Sequence, residues 1–257
     1  MPDEQRHTPT DRQRLSVVVP ALNEATNIRA AVDHAWRLEP VEVIVADGGS
    51  DDGTPDLACQ AGALVVTSAP GRGTQLNAGV QAATGEVFLF QHADTWLEPG
   101  AAAQLQAALQ DPGVQWGAFR QAIGANGFRF RALEWGNALR ARVFHLPYGD
   151  QAVFARRCAF EHVGGFPDQP LMEDVDLAKR LRRIGRPVLL AGPVNISARR
   201  WNENGVVRQT LKNWAILAAW GLGVSPEVLV RWYRPSSPTS ASAVTSQPLG
   251  PGAAGPS

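Results

Sequence analysis

Four apolar runs in the first hundred residues alternate with stretches whose apolar positions return every three or four residues. The runs are Leu15–Leu22, Val41–Gly49, Leu64–Ala69 and Glu86–Asp94, rich in Val, Ile, Leu and Phe. Between them, Ala25–Leu38 has helical spacing at Ile28, Ala31, Val32, Ala35 and Trp36. Thr54–Gly62 suits a short helix with Pro55 in its first turn, and Gly71–Gly85 suits a third helix. Strands apolar on both faces, separated by helices, predict a parallel sheet covered on both sides. Beyond Gln110 the strict alternation lapses. Val114–Ile123, Tyr148–Arg156, Arg186–Gly192 and Val194–Trp201 read as strands, and Phe128–Phe144, Arg156–Phe166 and Met172–Gly185 as helices. The expected fold class is therefore α/β, an open and mostly parallel sheet flanked by helices, a single domain with a mixed C-terminal part.

In an open sheet of this kind the ligand sits beyond the carboxyl ends of the strands. The residues there are Pro20 to Glu24, Asp47 to Asp52, Gly71 to Gly73 and His92 to Asp94. His92 and Asp94 would share one side of an extended chain and suit a divalent cation shared with a phosphate, or form an ordinary solvated strand end. The loop Asp47–Thr54 sets Asp47, Asp51 and Asp52 among glycines. That suits hydrogen bonds from a nucleobase or ribose, and equally suits a solvated turn. Arg72 between two glycines could approach a diphosphate. Glu173, Asp174 and Asp176 open a predicted helix, where the dipole favours acids and where a general base at a cleft edge would also fit. Arg199, Arg200 and Trp201 join two guanidiniums to an indole, a phosphate-and-sugar surface or a plain Arg pair beside a core Trp.

Charge sharpens the division. Met1 to Gln115 carries 6 Arg and no Lys against 15 acids, a net of −9, and the remainder carries +9, so the chain sums to zero. An acidic half able to hold a cation beside a basic half able to hold anions fits a phosphate-bearing substrate. Nothing in the balance points to a nucleic-acid partner. Two cysteines, Cys59 and Cys158, lie far apart in apolar stretches and predict free thiols in a reducing compartment. The polar leader, residues 1–14, lacks the apolar core of a signal peptide, and no apolar run is long enough to span a bilayer. Trp214–Val224 is the most apolar late segment and would lie against a core or a membrane surface. Residues 234–257, rich in Pro, Ser, Gly and Ala, are expected to be disordered.

Together, VVVPALNEATNI, DGGSDDGT, GRGTQLNAGVQAATGEVFLFQHADT and MEDVDLAKRLRRIG resemble the family-2 glycosyltransferases of the GT-A fold. The resemblance runs from about Leu15 to Arg200. It is closest to a small soluble bacterial subgroup with a His-Ala-Asp variant of the D-x-D motif and a late Ala-Arg-Arg-Trp. It implies one domain over 15–233, with a nucleotide-sugar-binding half at 15–115 and an acceptor and catalytic-base half at 116–233. It implies inverting transfer of a sugar from a nucleotide-diphosphate donor to an acceptor hydroxyl, with Asp174 as base and Glu173 beside it. Pro20, Ala21, Asn23, Glu24, Asp47, Asp51, Arg72 and His92 would hold the donor. Asp94 with His92 would hold Mg²⁺ or Mn²⁺, and Asp150, Arg199, Arg200 and Trp201 would meet the acceptor or diphosphate. Ser197 stands where polymerising relatives have the Gln of Q-x-x-R-W, which argues against polymerisation. The acceptor is expected to be anionic or lipid-linked, and the enzyme cytoplasmic or peripheral at the inner membrane face. Two rivals are a catalytically degenerate nucleotide-sugar-binding protein and a sugar-phosphate nucleotidyltransferase. The second would want a Gly-rich basic loop that PALNEATN lacks. A haloacid-dehalogenase-type phosphatase would need an Asp nucleophile where His92 stands.

Overall fold

The computed structural model describes residues 12–125, 127–196 and 206–233. Four strands follow the apolar runs: β1 (Leu15–Ala21), β2 (Glu42–Asp47), β3 (Leu64–Thr67) and β4 (Val87–Phe90). Helices α1 (Ile28–Trp36), α2 (Thr54–Gln60) and α3 (Arg72–Ala82) connect them. Then come β5 (Thr95–Leu97), α4 (Gly100–Leu109), β6 (Trp116–Ile123), α5 (Phe128–Phe144) and a 3₁₀ turn at Gly149–Gln151. The chain continues through β7 (Phe154–Arg156), α6 (Arg157–His162), α7 (Glu173–Ile184), β8 (Val188–Ile196), α8 (Val206–Gly221) and α9 (Pro226–Tyr233).

All eight strands form one sheet in the order β3-β2-β1-β4-β7-β6-β8-β5. The first four are mutually parallel, with Ser16 to Ala21 of β1 opposite Glu42 to Asp47 of β2. β7 is antiparallel to both β4 and β6, β8 is parallel to β6, and β5 closes that edge antiparallel to β8. The expected mixed C-terminal part is thus present, and the two predicted halves share a single sheet.

The two-residue period of a strand splits each apolar run between two cores. Val17, Val19, Val43, Val45, Val87 and Leu89 face one side, where α1 and α4 pack through Ile28, Val32, Leu105 and Leu109. Val18, Ile44, Phe88 and Phe90 face the other, against Leu76 and Val80 of α3 and Leu177 and Leu181 of α7. α3 lies close because of Gly79. A Cβ there would come within 2.4 Å of Val18 Cγ1.

Several expectations need correction. The extended run does not reach Asp94. β4 ends at Phe90, and Ala93–Asp94 form a turn closed by the Thr95 amide donating to the His92 carbonyl at 3.2 Å. Tyr148–Arg156 is a 3₁₀ turn followed by a three-residue strand, because Gln151 folds back to accept from the Tyr148 amide and Ala152 takes a left-handed φ of 46°. The two late strands are one, Val188–Ile196, whose pairing with β6 shifts register between Phe119 and Gln121 to pass Gly192-Pro193. α4 and β5 went unpredicted. Cys59 and Cys158 are free thiols, as expected, but both are exposed. The proposed leader overlaps the described residues only at Arg12–Arg14, and the predicted disordered tail lies outside them.

Candidate functional site

The carboxyl ends of β1 and β2 carry two loops stitched together by side chains. The Asn23 amide donates to Ser50 Oγ at 2.9 Å, the Asp51 amide to Asn23 Oδ1 at 3.1 Å, and the Glu24 amide to Thr54 Oγ1 at 2.8 Å. Asp47 is buried, and its carboxylate accepts from the Gly49 and Ser50 amides at 2.9 Å each and from Ser50 Oγ at 2.5 Å. Its visible work is to shape the acidic loop. Gln75, which sequence reasoning missed, is buried on α3 and bridges the strand ends. Its Nε2 donates to the Ala21 carbonyl at 2.6 Å and the Ala46 carbonyl at 2.9 Å. A polar residue on the buried face of a helix, beside Leu76 and Val80, was the available signal.

Next to these loops opens a cleft. Five predicted residues line it: Pro20, Arg72, His92, Glu173 and Asp174, together with the apolar Leu76, Phe90 and Phe166. Two helix N-termini meet there, α3 beginning at Arg72 and α7 at Glu173. Gly73 makes the approach feasible, since a Cβ would lie 2.6 Å from the Pro167 carbonyl and 3.4 Å from Glu173 Cβ. Arg72 Nε donates to Glu173 Oε1, and its Nη2 lies 3.8 Å from Asp174 Oδ1. Glu173 is only 2% exposed, whereas Asp174 keeps 15% of its side chain open. Asp174 is held by two amides, Gly149 N at 2.7 Å on Oδ2 and Val175 N at 2.8 Å on Oδ1. Met172, just before this pair, has a left-handed φ of 66°, the kind of local strain that gathers at functional sites.

Burial pushes the Glu173 carboxyl above its ordinary range and Asp174 adds to that, while Arg72 opposes it. For Arg72, desolvation works against the charge, but Asp174 and Glu173 outweigh it and hold the guanidinium above its usual value. The cluster is therefore one cation between two carboxylates of unequal exposure, and the more open one faces the cleft.

Asp150 sits beside this group without lining the cleft. One of its carboxylate oxygens is buried, and burial raises its pKa, with Arg140 opposing and Asp174 reinforcing the shift. Arg140 in turn lies 3.2 Å from the centre of the Tyr148 ring. Asp94 is exposed on the turn after His92, outside the cleft lining. Among the described residues no three His, Cys, Asp or Glu side chains gather to hold a metal. A carboxylate such as Asp94 with substrate phosphates and water would suit Mg²⁺ or Mn²⁺, and an imidazole beside it would favour Mn²⁺. Arg199, Arg200 and Trp201 lie outside the described residues.

In a two-sided α/β sheet the ligand site lies beyond the carboxyl ends of the strands, and here that place is a cleft floored by an Arg and two acids. The glycosyl transferase family 2 model matches residues 16–164, more than half of the chain, and the chain belongs to that family. A probable glycosyltransferase of Bacillus subtilis, YdaM, is 27% identical over 200 residues, which is 67% of this chain and 47% of that protein. The chain thus spans about half the length of that relative. A PGL/p-HBAD biosynthesis glycosyltransferase of Mycobacterium tuberculosis is 27% identical over 209 residues, 76% of this chain and 79% of that one. Among solved structures, glucosyl-3-phosphoglycerate synthase of M. tuberculosis, with Mn²⁺, UDP and glucosyl-3-phosphoglycerate, superposes with a TM-score of 0.53 at 24% identity. The match covers 72% of this chain and 70% of that one. S. aureus TarS 1–349 with UDP-GlcNAc gives a TM-score of 0.58 at 17% identity, covering 72% and 58%. The architecture is the GT-A fold of these proteins.

Proposed function

We propose that the protein transfers a sugar from a nucleoside diphosphate donor to an acceptor hydroxyl, with inversion at the anomeric carbon. The observation that carries this reading is the Arg72–Glu173–Asp174 cluster in the cleft at the strand ends. Asp174 has the partial exposure a base needs, and two backbone amides fix its orientation. In the proposed step the acceptor oxygen forms a bond to the anomeric carbon as its proton passes to an Asp174 carboxylate oxygen. The bond from the anomeric carbon to the diphosphate breaks, and its electron pair leaves with the nucleoside diphosphate. Arg72 stands where it can exchange a carboxylate for a phosphate oxygen, and the stitched loops from Pro20 to Glu24 and Asp47 to Asp51 present the exposed Asp51 carboxylate to the nucleoside. A divalent cation held by Asp94 and His92 would offset charge on the leaving diphosphate. The solved structures with UDP and Mn²⁺ or with UDP-GlcNAc support this donor class by analogy of fold.

The test is Asp174→Asn. Turnover should fall by about a hundredfold to ten-thousandfold, the usual range for losing a general base, while the donor Kd stays within a few-fold. Near-parental turnover would remove Asp174 from the role.

A further inference from the structure

Two helices carry large apolar residues on their outer faces. On α5, Phe128, Trp135, Leu139 and Val143 are all exposed, Phe128 by 85% and Trp135 by 66%. At 3.6 residues per turn these positions form one stripe, and the buried Phe130 and Ala141 lie roughly opposite, with buried Ala138 on the flank. Arg129 and Arg142 are exposed beside the stripe. The one acid of α5, Glu134, is already engaged by Arg131 at 2.7 Å and by the Ile123 amide at 2.6 Å. The pattern recurs on α8, where Leu211 and Trp214 are exposed, followed by Leu222 at 88% just past its end. That helix has no Asp or Glu and carries Arg208 and Lys212. Trp232 is exposed on α9.

We propose that α5 and α8 seat the protein on an anionic lipid surface. Helices with an outward stripe of Trp, Phe and Leu flanked by cations are the elements that lie in a membrane interface. The rings sink to the headgroup level, and the arginines reach the phosphates. Charge complementarity selects the occupant: each stripe is edged by cations, and no acid stands free on either helix to repel an anionic surface. Both elements lead to the cleft. α5 ends shortly before Gly149, and α8 and α9 pack through Ile216 and Leu229 on Leu171, next to the Glu173–Asp174 pair. Seating through them would bring a lipid-borne acceptor to the site. That last clause rests on the transfer reading, whereas the seating does not.

The test is flotation of the full chain with phosphatidylcholine vesicles, with and without phosphatidylglycerol, at low and moderate salt. The protein should float with anionic vesicles at low salt and be released as salt rises. A Trp135→Ser/Leu139→Ser variant and a Trp214→Ser variant should each lose vesicle partition by about tenfold or more, with unchanged thermal melts. No flotation with anionic vesicles, or flotation that both variants retain, would overturn the proposal. So would a dimer that the same substitutions dissolve in the absence of vesicle binding, since the stripes would then belong to a second copy. The melt shift produced by UDP, measured on the same samples, reports separately on the donor site.

Discussion

At the residue scale, the site turns on how carboxylates are held. Gly149 donates its amide to Asp174 Oδ2, and a Cβ on Gly149 would sit 2.8 Å from that same oxygen. Gly149→Ala should therefore displace the proposed base, lowering kcat by about tenfold to a hundredfold with little change in donor KM. Steady-state kinetics would show it, and an unchanged kcat would mean that this oxygen needs no fixed position. Asp150 gives a prediction of pH dependence. Its folded pKa is raised, chiefly by burial, so its contribution to stability is full in acid, below its unfolded value. That contribution is lost as pH rises through the folded value. Asp150→Asn escapes the loss, so its melting temperature relative to the parent should climb between acidic and mildly alkaline pH. A constant difference would show that the carboxylate is not strained. The sequence made Glu173, Asp174, Arg72 and His92 legible as strand-end and helix-start residues. It did not reveal that Arg72 bridges the two acids, because that pairing joins positions far apart in the chain.

At the scale of elements, the proposed donor side depends on the union of β1, β2 and α3. Gln75→Ala would remove two buried hydrogen bonds and leave the Ala46 carbonyl without that side-chain donor, while Ala21 keeps the Gly48 amide at 2.9 Å. A loss of about 1–3 kcal/mol in urea unfolding is expected, with weaker UDP binding as the two strand ends loosen. The long β-branched runs announced β1 and β2, and the spacing of Val175, Leu177, Leu181 and Ile184 ahead of Gly185 announced α7. α4 was hidden by its Ala-rich composition, which blurs any apolar stripe, and β5 by having only three residues. The turn at Ala93–Asp94 follows the apolar run after only Gln91 and His92, with no Gly or Pro to signal the strand's end.

For the whole molecule, donor recognition should register as global stability. A ligand bound only by the folded state contributes about 2.7 kcal/mol at a hundredfold excess over Kd, so a nucleotide sugar that fits should raise the melting temperature clearly above that of unrelated nucleotides. The fold class was readable as a whole because both faces of the parallel strands are apolar. The strand order was not, since β7 is short and leaves only weak marks in sequence. Yet β7, at Phe154–Arg156, lies between β4 and β6 and pairs with both. During translation the ribosome releases β4 and β6 well before the strand that joins them. For that interval the edge of β4 lies open, and β5 and β6 wait unpaired, each a template for pairing with a neighbouring chain. β5 and β6 both keep an unfilled place until β8, at Val188–Ile196, is made. A stalled or truncated product ending before Phe154 should be far more aggregation-prone and protease-sensitive than one ending after β8, and pulse-labelled synthesis with limited proteolysis would reveal the step. The three residues of β7 thus join the two parts of the sheet during synthesis, and β8 sets the later moment at which the last strands stop needing protection.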